Sequence, residues 1–281
     1  MINNLKNVHS QEKMCSVLNV NRSSYYASLK KKESPTTRRN RSLTQTILII
    51  YQEHNKIYGA PKIHAILGRR DISCSLKLVQ RIMKKLNIKS ITRAKYKPQS
   101  TETSREPLAG NLLEQNFTTE KISEKIAGDI TYIQTSDYGW CYLASFLDLH
   151  TNEIIGWEFS TKMTTELVLK ALEKANIRRT LSGAIIHTDR GSQYTSHLYS
   201  ETVESLGGKL SYSRKGNPYD NACIESFHSV LKKESIYLEK IKTFQETKES
   251  LFKYIEGWYN SRRIQKKLGY LSPLEFLKKL A

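Results

Sequence analysis

The sequence predicts an α/β core, a five-stranded mixed sheet with flanking helices, preceded by an all-α region that is strongly basic. Three observations carry this expectation. From about residue 121 the apolar periods and turn signals run β-β-β-α-β-α-β-α, an order that forms one mixed sheet covered by helices on both faces. The first 107 residues hold 22 of the 45 Lys and Arg but only 6 of the 27 Asp and Glu, so a net charge of +18 is concentrated at one end. Three carboxylates, Asp129, Asp189 and Glu225, are delivered by two strands and one helix. Asp189 falls just past the C-terminal end of its strand, where open α/β sheets place their chemistry.

The basic region reads as residues 1–98 and opens with two short helices. Ser10 caps residues 11–18, Asn19-Val20-Asn21 turns the chain, and residues 22–32 carry an apolar stripe of Tyr25, Tyr26 and Leu29. A loop with Pro35, Arg38, Arg39 and Arg41 is expected next, then a helix over residues 42–55 with Leu43, Ile47, Ile50 and Tyr51 inward. After a Gly59 break, Pro61 opens a further helix that holds Lys62, a residue expected to contact DNA. Ser75 caps the next one, where Leu78, Val79, Ile82, Met83 and Leu86 share one face and Lys77, Arg81, Lys84 and Lys85 the other. A basic face of this kind fits a polyanion such as DNA. Residues 99–119 read as a linker, polar and broken by Pro107 and Gly110.

The core is expected over residues 120–240, with a C-terminal helix and basic tail over 241–281 completing it. Asp129 lies in the alternating run Gly128-Asp129-Ile130-Thr131-Tyr132-Ile133, strand one. Strands over residues 138–149 and 153–161 follow, then a helix over 164–181. Ala184-Ile185-Ile186 is a short buried strand leading to Asp189; a helix over 196–206 and a strand over 209–213 come next. Asn217-Pro218-Tyr219-Asp220-Asn221 is a turn and cap cluster opening the helix of Glu225. Thr243-Phe244-Gln245-Glu246 is a capping box for the last long helix.

Such a carboxylate set suits hard divalent cations, because Mg²⁺ takes oxygen ligands and keeps several waters. Two ions roughly 4 Å apart clamp the attacking and leaving oxygens of an in-line phosphoryl displacement. Asp129, Asp189 and Glu225 are therefore the expected metal ligands and catalytic residues for two Mg²⁺, with Mn²⁺ as a substitute. His187, two residues before Asp189, and His228, one turn after Glu225, are expected behind the carboxylates in a supporting role.

Asp129-Ile130-Thr131-Tyr132, His187-Thr188-Asp189-Arg190-Gly191-Ser192-Gln193-Tyr194 and Asp220-Asn221-Ala222-Cys223-Ile224-Glu225-Ser226-Phe227, with 35 residues between Asp189 and Glu225, resemble the DDE integrase core of bacterial insertion-sequence transposases. The nearest group is the second-frame (OrfB) product of the IS-three group, whose core is RNase H-like and similar to that of retroviral integrases. The resemblance implies a transposase that cleaves DNA at insertion-sequence ends and joins the freed 3′-OH to target DNA. It implies that Lys232, two turns past Glu225, touches the transposon end, and that the tail around Arg262 and Arg263 lines a DNA channel. It implies a homo-oligomer on DNA and an upstream-frame (OrfA) partner, often fused by frameshifting, that supplies end recognition. The family carries Trp three residues before its first Asp where this chain has Ile126, which puts one packing contact in doubt.

Other classes fit less well. No G-x₄-G-K-[S/T] loop implies ATP. Cys15, Cys74, Cys141 and Cys223 are scattered, without zinc spacing, as in a reduced protein. No signal peptide or membrane span is expected, which places the protein in the cytoplasm, at the nucleoid. A non-catalytic DNA-binding repressor and a structure-selective RNase H-like nuclease are the alternatives.

Overall fold

A computed structural model describes residues 2–5, 7–30, 33–92, 110–214 and 218–280. Lys31 and Lys32, most of the expected linker, and Asn217 of the expected turn lie outside the described residues.

The basic region folds as helices α1 (Ile2–Leu5), α2 (Gln11–Val17), α3 (Arg22–Lys30), α4 (Pro35–Glu53), α5 (Ala60–Arg69) and α6 (Leu76–Lys85). Ser10 caps α2 and Ser75 caps α6, each hydroxyl accepting from the backbone N–H three residues on. The stripe expected on α3 is narrower: Tyr25 is buried, while Tyr26 and Leu29 face solvent. The loop expected around Pro35 is also corrected, because residues 35–41 are the first turns of α4. Ser34 accepts from Thr37 N, and Pro35 occupies the first turn, where its missing N–H removes no helical bond.

The core sheet holds β1 (Lys125–Thr135), β2 (Gly139–Asp148), β3 (Ile154–Ser160), β4 (Ile185–Thr188) and β5 (Lys209–Tyr212), in the order β3-β2-β1-β4-β5. The first three strands form an antiparallel meander, and β4 and β5 run parallel to β1. Helices α7 (Thr165–Arg178) and α8 (His197–Ser205) cover one face; α9 (Ala222–Glu234) and α10 (Phe244–Tyr254) cover the other, and α11 (Pro273–Leu280) ends the chain. Alternation along β1 sorts the side chains: Ile126 joins the α7 face, while Ala127 and Ile133 join the α9 face. Ile126 is fully buried opposite Asp148 and Ile186, so the aliphatic side chain fills the position where the family carries Trp. Asp148 holds the β2–β3 turn: it accepts from His150 N at 2.9 Å and from the Thr151 hydroxyl at 3.0 Å.

α7 sits unusually close to β3. A Cβ on Gly156 would lie 2.2 Å from the Ala171 carbonyl oxygen and 2.5 Å from Ala175 N, both backbone atoms of the helix. Gly156→Ala is therefore expected to push α7 off the sheet and cost about 3 kcal/mol, at the upper end of overpacking effects, read as a lowered chemical-denaturation midpoint.

Helices α4 to α6 share one apolar core with the α9 face of the sheet, so Leu43, Ile47, Ile63 and Val79 belong to the same cluster as Leu231, Leu251 and Trp258. The seam is also hydrogen-bonded: the Tyr58 hydroxyl accepts from Ile264 N at 2.9 Å, and His54 stacks on Tyr58 and meets Trp258 edge-on. The expected capping box at α10 is present, with Thr243 accepting from Glu246 N and Glu246 accepting from Thr243 N. α10 then widens into a π-type turn, Ile255–Asn260. There the Asn260 amide pairs with both backbone groups of Ile154, at 2.9 Å each, and locks the turn to the start of β3. None of the described helices is long and apolar enough to cross a membrane.

Candidate active site

Asp129 sits in the middle of β1, on the face covered by α9, directly opposite Ser145 of β2. Gly128 beside it allows the close approach: a Cβ there would come within 2.6 Å of the Phe146 ring and 3.1 Å of Thr188. Asp189 follows the last residue of β4, and β4 is hydrogen-bonded to β1, so strand pairing alone brings these two carboxylates to neighbouring positions. Gly191 N donates to Asp189 Oδ1 at 2.9 Å and closes the turn.

Glu225 stands in the first turn of α9. Two arrangements aim that helix. His228 lies between the strands: its Nε2 is 2.7 Å from the Ser145 hydroxyl and its Nδ1 is 3.3 Å from Asp129 Oδ2. Asp220 ties the start of α9 to two other segments. Its carboxylate is buried and accepts from the Arg214 backbone and guanidinium, from Asn111 Nδ2 at 2.9 Å and from Gln115 Nε2 at 3.0 Å. The Arg214 hydrogen bonds outweigh the burial and hold its carboxyl far below the usual range, so the clamp is charged at neutral pH. Asn221, expected to cap α9, makes no capping bond; its Nδ2 reaches the Gly128 carbonyl at 3.4 Å.

The carboxylates feel one another. Burial first, then the charges of Asp129 and Glu225, push Asp189 up to about 6. Partial desolvation and the charge of Asp129 raise Glu225, although the residue as a whole is exposed. An all-oxygen set whose anions repel one another is the donor chemistry a hard divalent cation relieves. Among the described residues, no three His, Cys, Asp or Glu side chains are gathered into a ready-made metal cage. In this arrangement Asp129 keeps its 3.3 Å contact with His228 Nδ1 and Asp189 its hydrogen bond from Gly191 N.

The other expected site residues divide by environment. His228 places its Nδ1 3.3 Å from Asp129 Oδ2. His187 does not reach the carboxylates: it is fully buried between β4 and β5, with Nδ1 2.8 Å from the Ser211 hydroxyl and Nε2 3.1 Å from that of Ser213. Desolvation there lowers it to about 4, so it is a neutral bridge between strands. Lys77, Arg81, Lys84 and Lys85 are exposed on α6, and Arg262 is exposed after the π-type turn. Lys232 is half-buried on α9.

Lys62 and Arg263 turn inward, against the expectation that they face DNA. Both Glu234 oxygens accept from Arg263, each at 2.8 Å, and the Tyr254 hydroxyl donates to the same carboxylate at 2.9 Å. Lys62 lies over the Tyr58 ring, 4.5 Å from its centroid, where burial and then the Arg263 charge lower it to about 8. The carboxylate that draws these cations inward is Glu234, and no local sequence spacing links it to Lys62 or Arg263. A lysine depressed from 10.5 costs stability fully below about pH 8, and the cost fades as the unfolded chain also loses its proton toward pH 10.5. Lys62→Met is therefore expected to melt above the native chain at pH 7, with the gap shrinking by pH 9.5.

Comparison with known proteins places this geometry. The family model described as Integrase core domain matches residues 120–218, a second model of the same description matches 206–273, and an HTH-like domain matches 37–96. Sheet, site and matches together define the class: a DDE-type polynucleotidyl transferase with an integrase core behind a helix-turn-helix region. Transposase InsF for insertion sequence IS3A of Escherichia coli (strain K12) is 36% identical over 94% of this chain and 92% of its own length. The transposase for insertion sequence element IS904 of Lactococcus lactis subsp. lactis (strain IL1403) is 37% identical over 84% of this chain and 93% of its own length. A 31 kDa protein of insertion element IS600 from Shigella sonnei is 34% identical over 95% of this chain and 98% of its own length. The chain belongs to this family, the IS3-type transposases of bacterial insertion sequences. Among solved structures, the HTLV-2 integrase catalytic core domain is similar at 16% identity and a TM-score of 0.42, over 55% of this chain and 95% of that one.

Proposed function

We propose that Asp129, Asp189 and Glu225 together hold two divalent ions, Mg²⁺ or Mn²⁺, and that this site cleaves DNA at the ends of an insertion sequence and transfers the 3′-OH into target DNA. The observation that carries the reading is the placement of the three carboxylates in a chain of this family: Asp129 on β1, Asp189 just past the paired strand β4, and Glu225 in the first turn of α9. Bound metal supplies Lewis acidity, activating the nucleophile and offsetting charge on the leaving oxygen. The protein supplies placement. Asp129 and Asp189 stand on paired strands and give a fixed base, whereas Glu225 arrives on a helix whose angle depends on His228 and on the Asp220–Arg214 clamp. Glu225 would complete the donor set from the first turn of α9.

The exposed cations of α6, Lys77, Arg81, Lys84 and Lys85, grip the DNA backbone, as do Arg262 and, on the face of Glu225, Lys232. Lys62 and Arg263 serve the seam instead. The working form is a homo-oligomer on DNA in the cytoplasm, at the nucleoid, and an upstream-frame product, separate or fused, supplies recognition of the ends.

The test is a Mg²⁺-dependent assay on labelled DNA carrying the element's own ends, with and without the upstream-frame product. Joined products support the reading, and their dependence on the added product places end recognition outside this chain. Cutting without joining would turn it to a nuclease; a DNA shift without cutting under either condition would turn it to a repressor.

A further inference from the structure

The sheet face opposite Asp129 carries aromatic side chains that the core does not use. On β1 and β2, Tyr132 pairs with Tyr142 and Gln134 with Trp140, so Tyr132, Tyr142 and Trp140 point to one face of the hairpin. That face is buried lower down, where Ala144 and Phe146 meet α7, but the hairpin projects beyond the helix. Tyr132 stays 48% exposed and Trp140 57% exposed. Tyr142 packs edge-on against Tyr132, ring centroids 5.4 Å apart, and the Tyr132 hydroxyl donates to Met163 Sδ at 3.7 Å. Lys162, next to Met163, is exposed.

The position of this patch is informative. Tyr132 lies three residues along β1 from Asp129, about 10 Å at the rise of a strand. Its phenol is pushed up by burial, by Tyr142 and then by the charges of Asp129 and Asp189, so it lies within electrostatic reach of the carboxylates. Patch and cluster lie on opposite faces of the sheet, but the β1–β4 pairing ends at Ala127, so the nucleotides next to a phosphate held at the cluster can pass over that edge of β1 to the patch within a few steps. Exposed aromatics beside a cationic side chain are the pairing that binds unpaired nucleotides, ring on base and ammonium on phosphate. Paired bases inside a duplex present no free face for stacking.

We propose that Tyr132 and Trp140, backed by Tyr142 and Met163, form a stacking platform for unpaired DNA bases next to the phosphate that reacts, with Lys162 meeting the adjoining backbone. The platform deepens the function proposed above and rests on it for the DNA substrate. It gives the site a preference for frayed or forked ends over intact duplex, because stacking requires bases already released from their partners.

The full-length chain is titrated with two fluorescent DNA duplexes of one sequence, blunt or with four unpaired bases at the end. A third duplex carries 2-aminopurine at the first unpaired position. Tighter binding of the forked duplex, by about tenfold for one or two stacked bases, and quenching of 2-aminopurine are expected for the native protein. Tyr132→Ala with Trp140→Ala removes both, whereas Tyr132→Phe, which keeps the ring, retains them. Circular dichroism and melting temperature identify a variant that has failed to fold, and the 2-aminopurine signal of the native chain decides the question without any variant. Equal affinity of the native chain for both duplexes, or an unchanged preference in the double variant, overturns the platform. So does a loss of self-association in the double variant without a change in forked-DNA preference, which would assign the patch to contact with a second copy. Binding and quenching are read without metal, so loss of Mg²⁺-dependent cutting in the native chain would refute the catalytic reading and leave this result to stand or fall separately.

Discussion

Asp189→Asn is expected to abolish cleavage and joining, by at least about a thousandfold, while leaving DNA affinity intact and the melting temperature equal or higher. The rate loss follows from the proposed metal site: the substitution removes one of its three charges, and a metal held there would supply several kcal/mol of charge stabilisation in the transition state. The stability effect follows from the site's electrostatics. Burial and two neighbouring carboxylates hold Asp189 up to about 6, so the folded chain carries its anion at a cost near neutral pH. Asparagine keeps the shape, and its side-chain oxygen can still accept from Gly191 N. Sign and window are fixed by the upward shift: the cost is absent below the ordinary aspartate value, where the group is protonated in both states, and full above about pH 6. Gel-based product analysis and a melting curve on the same preparation check both halves. A variant that loses activity and also melts far below the native chain would show that Asp189 holds the fold.

Glu234→Ala is expected to cost about 3–5 kcal/mol, because it strands the Arg263 guanidinium in a buried site. Burial works against both members of the pair, yet each charge outweighs it on the other, holding Glu234 below its usual range and Arg263 above. The pair joins the end of α9 to the segment after the π-type turn, with α5 against it through Lys62. Replacing both partners by Met is expected to recover most of the loss, since apolar groups of similar volume need no counter-charge. Urea denaturation of the two variants against the native chain separates these cases. If the single and double variants lose the same amount, the hydrogen bond from Tyr254 or local packing carries the effect, and the charge pair does not.

The elements that carry the three carboxylates are legible in the sequence because their signals are local. A short apolar run before Asp189, an alternating run around Asp129 and a turn before Glu225 each specify an element within a few residues. The sheet order then follows from short connections and the crossovers between parallel strands. The contacts that orient those elements were not legible, because they join residues far apart. Asp220 gathers Asn111, Gln115 and Arg214; Ser145 and Asp129 meet across His228; Glu234 draws in Arg263 from 29 residues away. Asp220 had one usable signal, an acidic residue in a turn cluster, but it reads equally well as a cap. His187 is hidden for the same reason: strand alternation gives its side, not Ser211 of β5 and Ser213 just past that strand, which occupy it. Pro35 alone does not separate loop from helix, because one residue type ends loops and begins helices; Ser34 before it, which accepts from Thr37 N, is the cap that decides.

The measurement that bears most directly on the central claim is ion binding to the protein on its end DNA, followed by Mn²⁺ electron paramagnetic resonance. Two bound ions are expected in the native complex, and weakened binding with fewer ions when Asp129→Asn, Asp189→Asn or Glu225→Gln is introduced singly. Mn²⁺ binding that is unchanged in all three variants would contradict the claim, since the carboxylates would then lie beside the metal chemistry without holding it.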